Sequence, residues 1–172
     1  MACSVAQCLE VVGEWWTMLI IRDVFLGTNR FDDLQGRLGI ARNVLAQRLD
    51  HLVEQGVLRR VPYQDHPVRN EYRLTDKGRD LWPVLTAMRQ WGDVWAAPDG
   101  PSVELVHDGC ERVSHGVLTC SECGEPLDAR QVHAVAGPGA GPTSPIPAAG
   151  RRPTRGAPRA PRKRPPPGKI SR

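Results

Sequence analysis

Two sets of residues in this chain have the types and spacing that chemistry requires. The first is His107-x2-Cys110-x9-Cys120-x2-Cys123. Three sulfurs and an imidazole are the donors a tetrahedral zinc ion takes, and Gly124, directly after the second pair, permits a turn that aims both thiols at one ion. Four protein ligands leave no open position, so this reading is of one structural zinc ion. His115 and His133 are alternatives to His107. A redox-active Cys120/Cys123 pair and a metal-free hairpin with inert thiols remain open beside it. The odd total of five cysteines argues against a disulfide framework.

The second set can read nucleic acid. Arg42 has the fork for guanine, and Asn43 or Gln47 can take adenine in the major groove. Arg48 lies beside Leu49, where it can reach phosphate or pair with Asp50 or Glu54. Arg69, with His66 behind it, is a candidate for the minor groove or a phosphate. Arg30 and Arg37 could clamp backbone phosphates, contacts that position without specifying. Arg59 and Arg60 point apart along a strand, so one of them, taken as Arg60, can face DNA.

The intervening pattern predicts elements that would position these side chains. Residues 5–12 read as a short helix ending at Gly13, and Trp15 to Phe25 as a longer one with Trp16, Leu19, Ile20 and Val24 inward. Phe31, Leu34 and Leu38 share one helical face. After Gly39, a second apolar periodicity of Ile40, Val44, Leu45, Leu49, Leu52 and Val53 runs to Gly56. Two short helices at a tight turn, the second studded with Arg42, Asn43 and Gln47, make a helix-turn-helix. A strand over Val57–Val61, a polar loop from Asp65 to Asn70 and a strand over Glu71–Thr75 add a wing. The predicted fold is mainly α with a small β wing, a winged helix-turn-helix over residues 1–97. Thr75 caps a further helix of about five turns, in which Leu85, Met88, Trp91 and Trp95 offer a dimer surface. Pro83 either bends it or sits where a backbone bond can be spared. A homodimer with a two-fold axis would present two reader helices to an inverted repeat.

Residues 98–135 read as a small Cys/His-rich, zinc-ribbon-like appendage, and 136–172 as a disordered Gly/Pro/Arg-rich tail. Nine of the 23 Lys and Arg fall in residues 151–172, which hold no acid. The first 150 residues therefore carry 14 bases against 19 acids, a net charge of −5. The whole-chain charge of +4 thus says nothing of the body, where the local field at the contacting face decides. The tail could add nonspecific affinity through counterion release. No apolar run reaches a membrane span and no signal segment opens the chain, so the expected location is the cytoplasm, on the nucleoid when bound to DNA. No phosphate loop, catalytic triad or metal-plus-glutamate motif suggests an enzyme.

From Cys3 to about Trp95 the chain resembles the HxlR family of bacterial winged-helix transcription regulators, more distantly MarR-like. The resemblance rests on Cys3, Leu9-Glu-Val-Val-Gly13, Trp16-Thr-Met-Leu-Ile-Ile-Arg22, Phe31-x-x-Leu34, Gly39-Ile40, Arg48-Leu49-x-x-Leu52, Gly56-Val57-Leu58 and Tyr72-x-Leu74-Thr75-x-x-Gly78. It implies a dimer that binds double-stranded DNA through the second helix and wing and regulates neighbouring genes. Trp15 replaces the family's usual Lys or Arg, and Ala41 its usual Ser, a residue that would cap the reader helix. Cys3 matches a position where some relatives carry a sensor of oxidants or aldehydes, so Cys3 and Cys8 are redox candidates and an oxidant or small-molecule effector is open. The appendage resembles an extension in a subset of the family. Against a specific regulator stand a protein-interaction adaptor and a nonspecific architectural DNA binder.

Overall fold

A computed structural model describes residues 3–141 and 146. The chain forms two compact units, one from Cys3 to Thr86 and one from Ala87 onward. The first contains α1 (Ser4–Val12), α2 (Trp15–Phe25), α3 (Phe31–Leu38), α4 (Arg42–Glu54), β1 (Leu58–Asp65), β2 (Val68–Leu74) and α5 (Asp76–Arg79). It also contains the start of α6 (Trp82–Trp95), which continues into the second unit together with β3 (Leu105–His107) and β4 (Arg112–Ser114).

Local chemistry sets most helix ends. Glu14 caps α2, its Oε2 accepting the Trp16 N–H at 2.9 Å. Gly39 closes α3 in the left-handed conformation, φ 65°, and donates to the Gln35 carbonyl. Ala41 begins α4 with no side-chain cap, leaving first-turn N–H groups free of such a partner. Ile20, Ile21, Leu34, Leu45, Leu49 and Leu52 have no exposed surface, and Val57, Leu58 and Tyr72 join them. Trp16 packs half-buried on this core, whereas its neighbour Trp15 is 74% exposed.

The wing is longer than the sequence pattern suggests. β1 and β2 pair from Leu58↔Leu74 to Asp65↔Val68, and the register shifts between Pro62 and Gln64. The bulge leaves Tyr63 without an opposite residue and lets the ladder run past Pro62, which has no N–H to donate. Arg69 and Asn70, expected in the loop, therefore belong to β2, and the turn narrows to Asp65–Val68 with a cis His66–Pro67 bond. The wing is tied back by the Tyr72 N–H donating to the Asn29 carbonyl at 2.7 Å and by a bridge between Arg30 and Glu71.

The long helix expected after Thr75 is two helices. Thr75 does cap, its Oγ1 accepting the Gly78 N–H at 3.1 Å, but α5 ends at Arg79. A Cβ at Gly78 would stand 2.3 Å from the Val57 carbonyl oxygen, so this first turn is pressed against the start of the wing. α6 then begins afresh with Pro83 in its first turn, where no intrahelical partner exists for the missing N–H.

In the second unit, the Gln90 side chain exchanges two hydrogen bonds with the Gly116 backbone, at 3.0 and 2.6 Å, and Arg89 donates to the Val103 carbonyl at 2.9 Å. β3 and β4 pair antiparallel across His107↔Arg112 to Leu105↔Ser114. No residue from 101 to 141 is buried. The tail expected to be disordered lies outside the described residues from 142 on, apart from Ile146. No helix among the described residues is long and apolar enough to cross a membrane. Truncating the fully buried Leu49 to Ala is expected to lower unfolding free energy by about 3 kcal/mol, and Asn43→Ala by under about 0.5 kcal/mol, both read from urea titrations.

Candidate nucleic-acid interface

Opposite the buried stripe of α4, Asn43, Gln47, Asp50 and Glu54 recur at helical spacing and are all exposed. Asp50 and Glu54 would repel phosphate, so the helix's N-terminal half, with Arg42, Asn43 and Gln47, is the part that suits a groove. Arg42 is exposed and turned toward α3. Its Nη1 donates to Asp32 Oδ1 at 2.9 Å and Gln35 Oε1 at 3.2 Å, and its guanidinium lies 4.9 Å from the centre of the Phe31 ring. A pair this exposed is weak and exchangeable for a base edge or a phosphate.

Between α3, α4 and the wing lies a cleft of about 450 Å3 whose lining includes Arg30, Asp32, Arg42, Tyr63, Arg69 and Asn70. Arg30 stacks over the bulged Tyr63, 4.4 Å from the ring centre. Three of the arginines singled out in the sequence, Arg30, Arg42 and Arg69, thus border one space. His66 is exposed at the wing tip. Tyr63, Phe31 and Asp32 were missed as partners of these cations; Pro62, where a strand must bulge or stop, is the local signal that could have flagged Tyr63.

Other arginines are engaged in holding the fold. Arg48 Nε is 3.3 Å from Glu14 Oε2, with both side chains mostly covered. Asp50 and Glu54, its expected partners, are two and six residues away and lie on other faces of the helix. Arg37 Nε approaches the fully buried Asp23 at 3.3 Å, and Arg22 pairs with the same carboxylate at 2.8 Å. Arg60 pairs with Asp50 of α4. Its guanidinium pKa is raised, first by a hydrogen bond with Tyr72, its partner across the ladder, then by the charge of the Tyr72 phenolate and after it that of Asp50, against the opposing effect of burial. His51 is half-buried on the inner side of α4, with Nε2 3.1 Å from the Val11 carbonyl of α1.

The candidate metal ligands form two pairs. His107 Nδ1 lies 3.4 Å from Cys110 Sγ. The Cys120 thiol pKa is lowered by the backbone N–H groups of Glu122 and then Cys123, and by the Cys123 side chain. Among the described residues no three His, Cys, Asp or Glu side chains stand close enough to share one ion. Of the thiols nearer the N-terminus, Cys3 is exposed and Cys8 packs half-buried on the core. On α6, Leu85 packs against the core of the first unit, while Met88, Trp91 and Trp95 are exposed by 54, 64 and 48%.

A helix-turn-helix followed by a two-stranded wing, with cations bordering the cleft between them, defines a winged-helix DNA-binding protein of the transcription-regulator class. The model of the HxlR-like helix-turn-helix matches residues 11–100, and the chain belongs to the HxlR family. It is 47% identical over 137 residues to the uncharacterized HTH-type transcriptional regulator Rv3095 of Mycobacterium tuberculosis, covering 79% of this chain and 87% of that protein. That length necessarily reaches past residue 100 into the appendage. Among solved structures, PA1607, described as a candidate transcription factor, is 46% identical over 77% of this chain and 93% of its own, with a TM-score of 0.68. PA1374 from Pseudomonas aeruginosa, described in the same terms, is 40% identical over 81% and 96%, with a TM-score of 0.58.

Since His51 holds α1 and does not border the cleft, His51→Ala is expected to lower stability by about 1 kcal/mol while leaving DNA affinity within twofold. Thermal unfolding and gel-shift titration of the same preparation check both halves.

Proposed function

We propose that this protein is a homodimeric regulator that binds double-stranded DNA at an inverted repeat, with α4 in the major groove and the wing at the minor groove or backbone. The observation that carries the reading is the exposed, acid-free set of Arg42, Asn43 and Gln47 at the start of α4, with Arg42 bordering one cleft with the wing's Arg69. Arg42 would leave Asp32 for a guanine, and Asn43 and Gln47 would take adenine edges. Arg69, Arg30 and the uncapped first-turn N–H groups of α4 would take phosphates, with His66 nearby at the wing tip. Arg37, Arg48 and Arg60 have carboxylate partners in the fold, and phosphate contacts by them would compete with those pairs. Met88, Trp91 and Trp95 expose three large side chains at spacings of three and four along α6, and a second copy of the chain would cover them. Such a regulator works in the cytoplasm, on the nucleoid.

Selection of binding sites from random duplexes, followed by footprinting, tests the proposal. An inverted repeat protected on two successive major-groove faces supports it; enrichment without a motif favours an architectural role, and no protection favours an adaptor. On the selected site, Arg42→Ala is expected to abolish the preference for one base pair per half-site at a cost of about 1–3 kcal/mol, whereas Arg69→Ala weakens all duplexes alike and reduces the salt slope by about 1. Trp91→Glu is expected to give monomers in sedimentation velocity and to lose the full site.

A further inference from the structure

The second unit carries paired donors that DNA reading does not use. Residues 101–141 keep paired strands and hydrogen-bonded turns without one buried residue. Val106, Val113, Val117 and Leu118 are each at least half exposed. Ordering a chain costs conformational entropy that apolar burial usually offsets, so a different interaction must hold this segment.

Two of its turns are built alike. In the first, the His107 carbonyl accepts the N–H of Cys110 at 3.1 Å and of Glu111 at 2.8 Å, and Glu111 takes the left-handed conformation at φ 53°. In the second, the Cys120 carbonyl accepts the Gly124 N–H at 2.9 Å, and Gly124 is left-handed at φ 76°. Each turn therefore runs donor, two residues, donor, left-handed residue. Glu111 is the one non-glycine residue with positive φ among the described residues, so the first turn keeps this geometry against the preference of its own side chain. In the first turn the two donors end side by side, His107 Nδ1 3.4 Å from Cys110 Sγ, and the second turn repeats the same spacing and left-handed close with Cys120 and Cys123.

We infer that the two turns are halves of one structural zinc site, with His107 and Cys110 supplying one side and Cys120 and Cys123 the other. Each pair is a ready two-donor clamp, and the pairs lie apart, so the ion would draw them together and its binding would be folding free energy of this unit. Three thiolates and one imidazole are a donor set that Zn2+ takes in tetrahedral geometry with no open position. A Cys120–Cys123 disulfide would account for the second turn alone and leave its copy at His107–Cys110 without a purpose.

The test uses the full chain, refolded with reductant and Zn2+ and freed of excess metal by gel filtration. One zinc per chain by elemental analysis is expected. Cobalt substitution is expected to give the intense visible absorption of a tetrahedral ion and charge-transfer absorption from three thiolates. Cys120→Ser and Cys123→Ser should abolish retention, Cys110→Ser and His107→Ala should weaken it by at least about tenfold, and Cys8→Ser should leave it unchanged. No retained zinc, an octahedral cobalt spectrum, full retention in both the Cys110 and His107 variants, or a Cys120–Cys123 disulfide with no metal would each overturn the inference. The wild-type cobalt spectrum decides the matter even if variants precipitate. Site selection run on the same preparation keeps a failure of zinc binding distinct from a failure of DNA binding.

Discussion

The burial of one stripe of α4 is what the rest of this structure depends on. A 13-residue helix is marginal in water by itself. Leu45, Leu49 and Leu52, each fully buried, hold it beside α2 and α3. At about 1.5–3 kcal/mol for each side chain removed from water, this stripe outweighs any surface pair around it. Hiding that face necessarily turns Asn43 and Gln47 outward, and it makes the outward face rigid enough to fit a groove. The α3–α4 turn at Gly39 and the wing's attachment through Tyr72 then fix how the presented face sits beside Arg69.

Electrostatics sorts the arginines, which composition alone cannot do. The first 150 residues are net acidic, so a cation near α4 generally has a carboxylate within reach. What differs is solvent. Arg42 and Asp32 are both largely exposed, and water screens a pair that a phosphate or a base can replace. Arg37 meets a carboxylate with no exposed surface, a charge that losing its partners would strand out of water, and Arg48 and Glu14 are more covered than Arg42 and Asp32. Arginines of the same sequence character therefore divide into those a nucleic acid could recruit and those that brace the helices.

The two units solve the problem of order differently. The first buries a contiguous set of aliphatic side chains drawn from α1, α2, α3, α4 and the wing. The second, beyond α6, buries none among its described residues and relies on backbone pairing, on Gln90 clasping Gly116 and on two turns that repeat one geometry. Similarity to the mycobacterial relative extends past residue 100, where the match to the family's helix-turn-helix ends, into this segment.

Helices α1 to α4 were legible from the chain alone because their determinants are local. Apolar spacing, Gly13 and Gly39 are read within a turn or two of the residues they govern, and the winged-helix class follows from their order. The residues bordering the cleft were legible as types, since Arg42 opens a helix of polar outer face and Arg69 follows a turn. Their surroundings were not. The strand passing Pro62 depends on a partner strand that tolerates a bulge, and the break between α5 and α6 on the approach of Gly78 to Val57. The contacts of Arg48 with Glu14 and of His51 with Val11 join residues more than thirty positions apart. Periodicity carries no information about which distant group a side chain will meet, and only packing in three dimensions decides that.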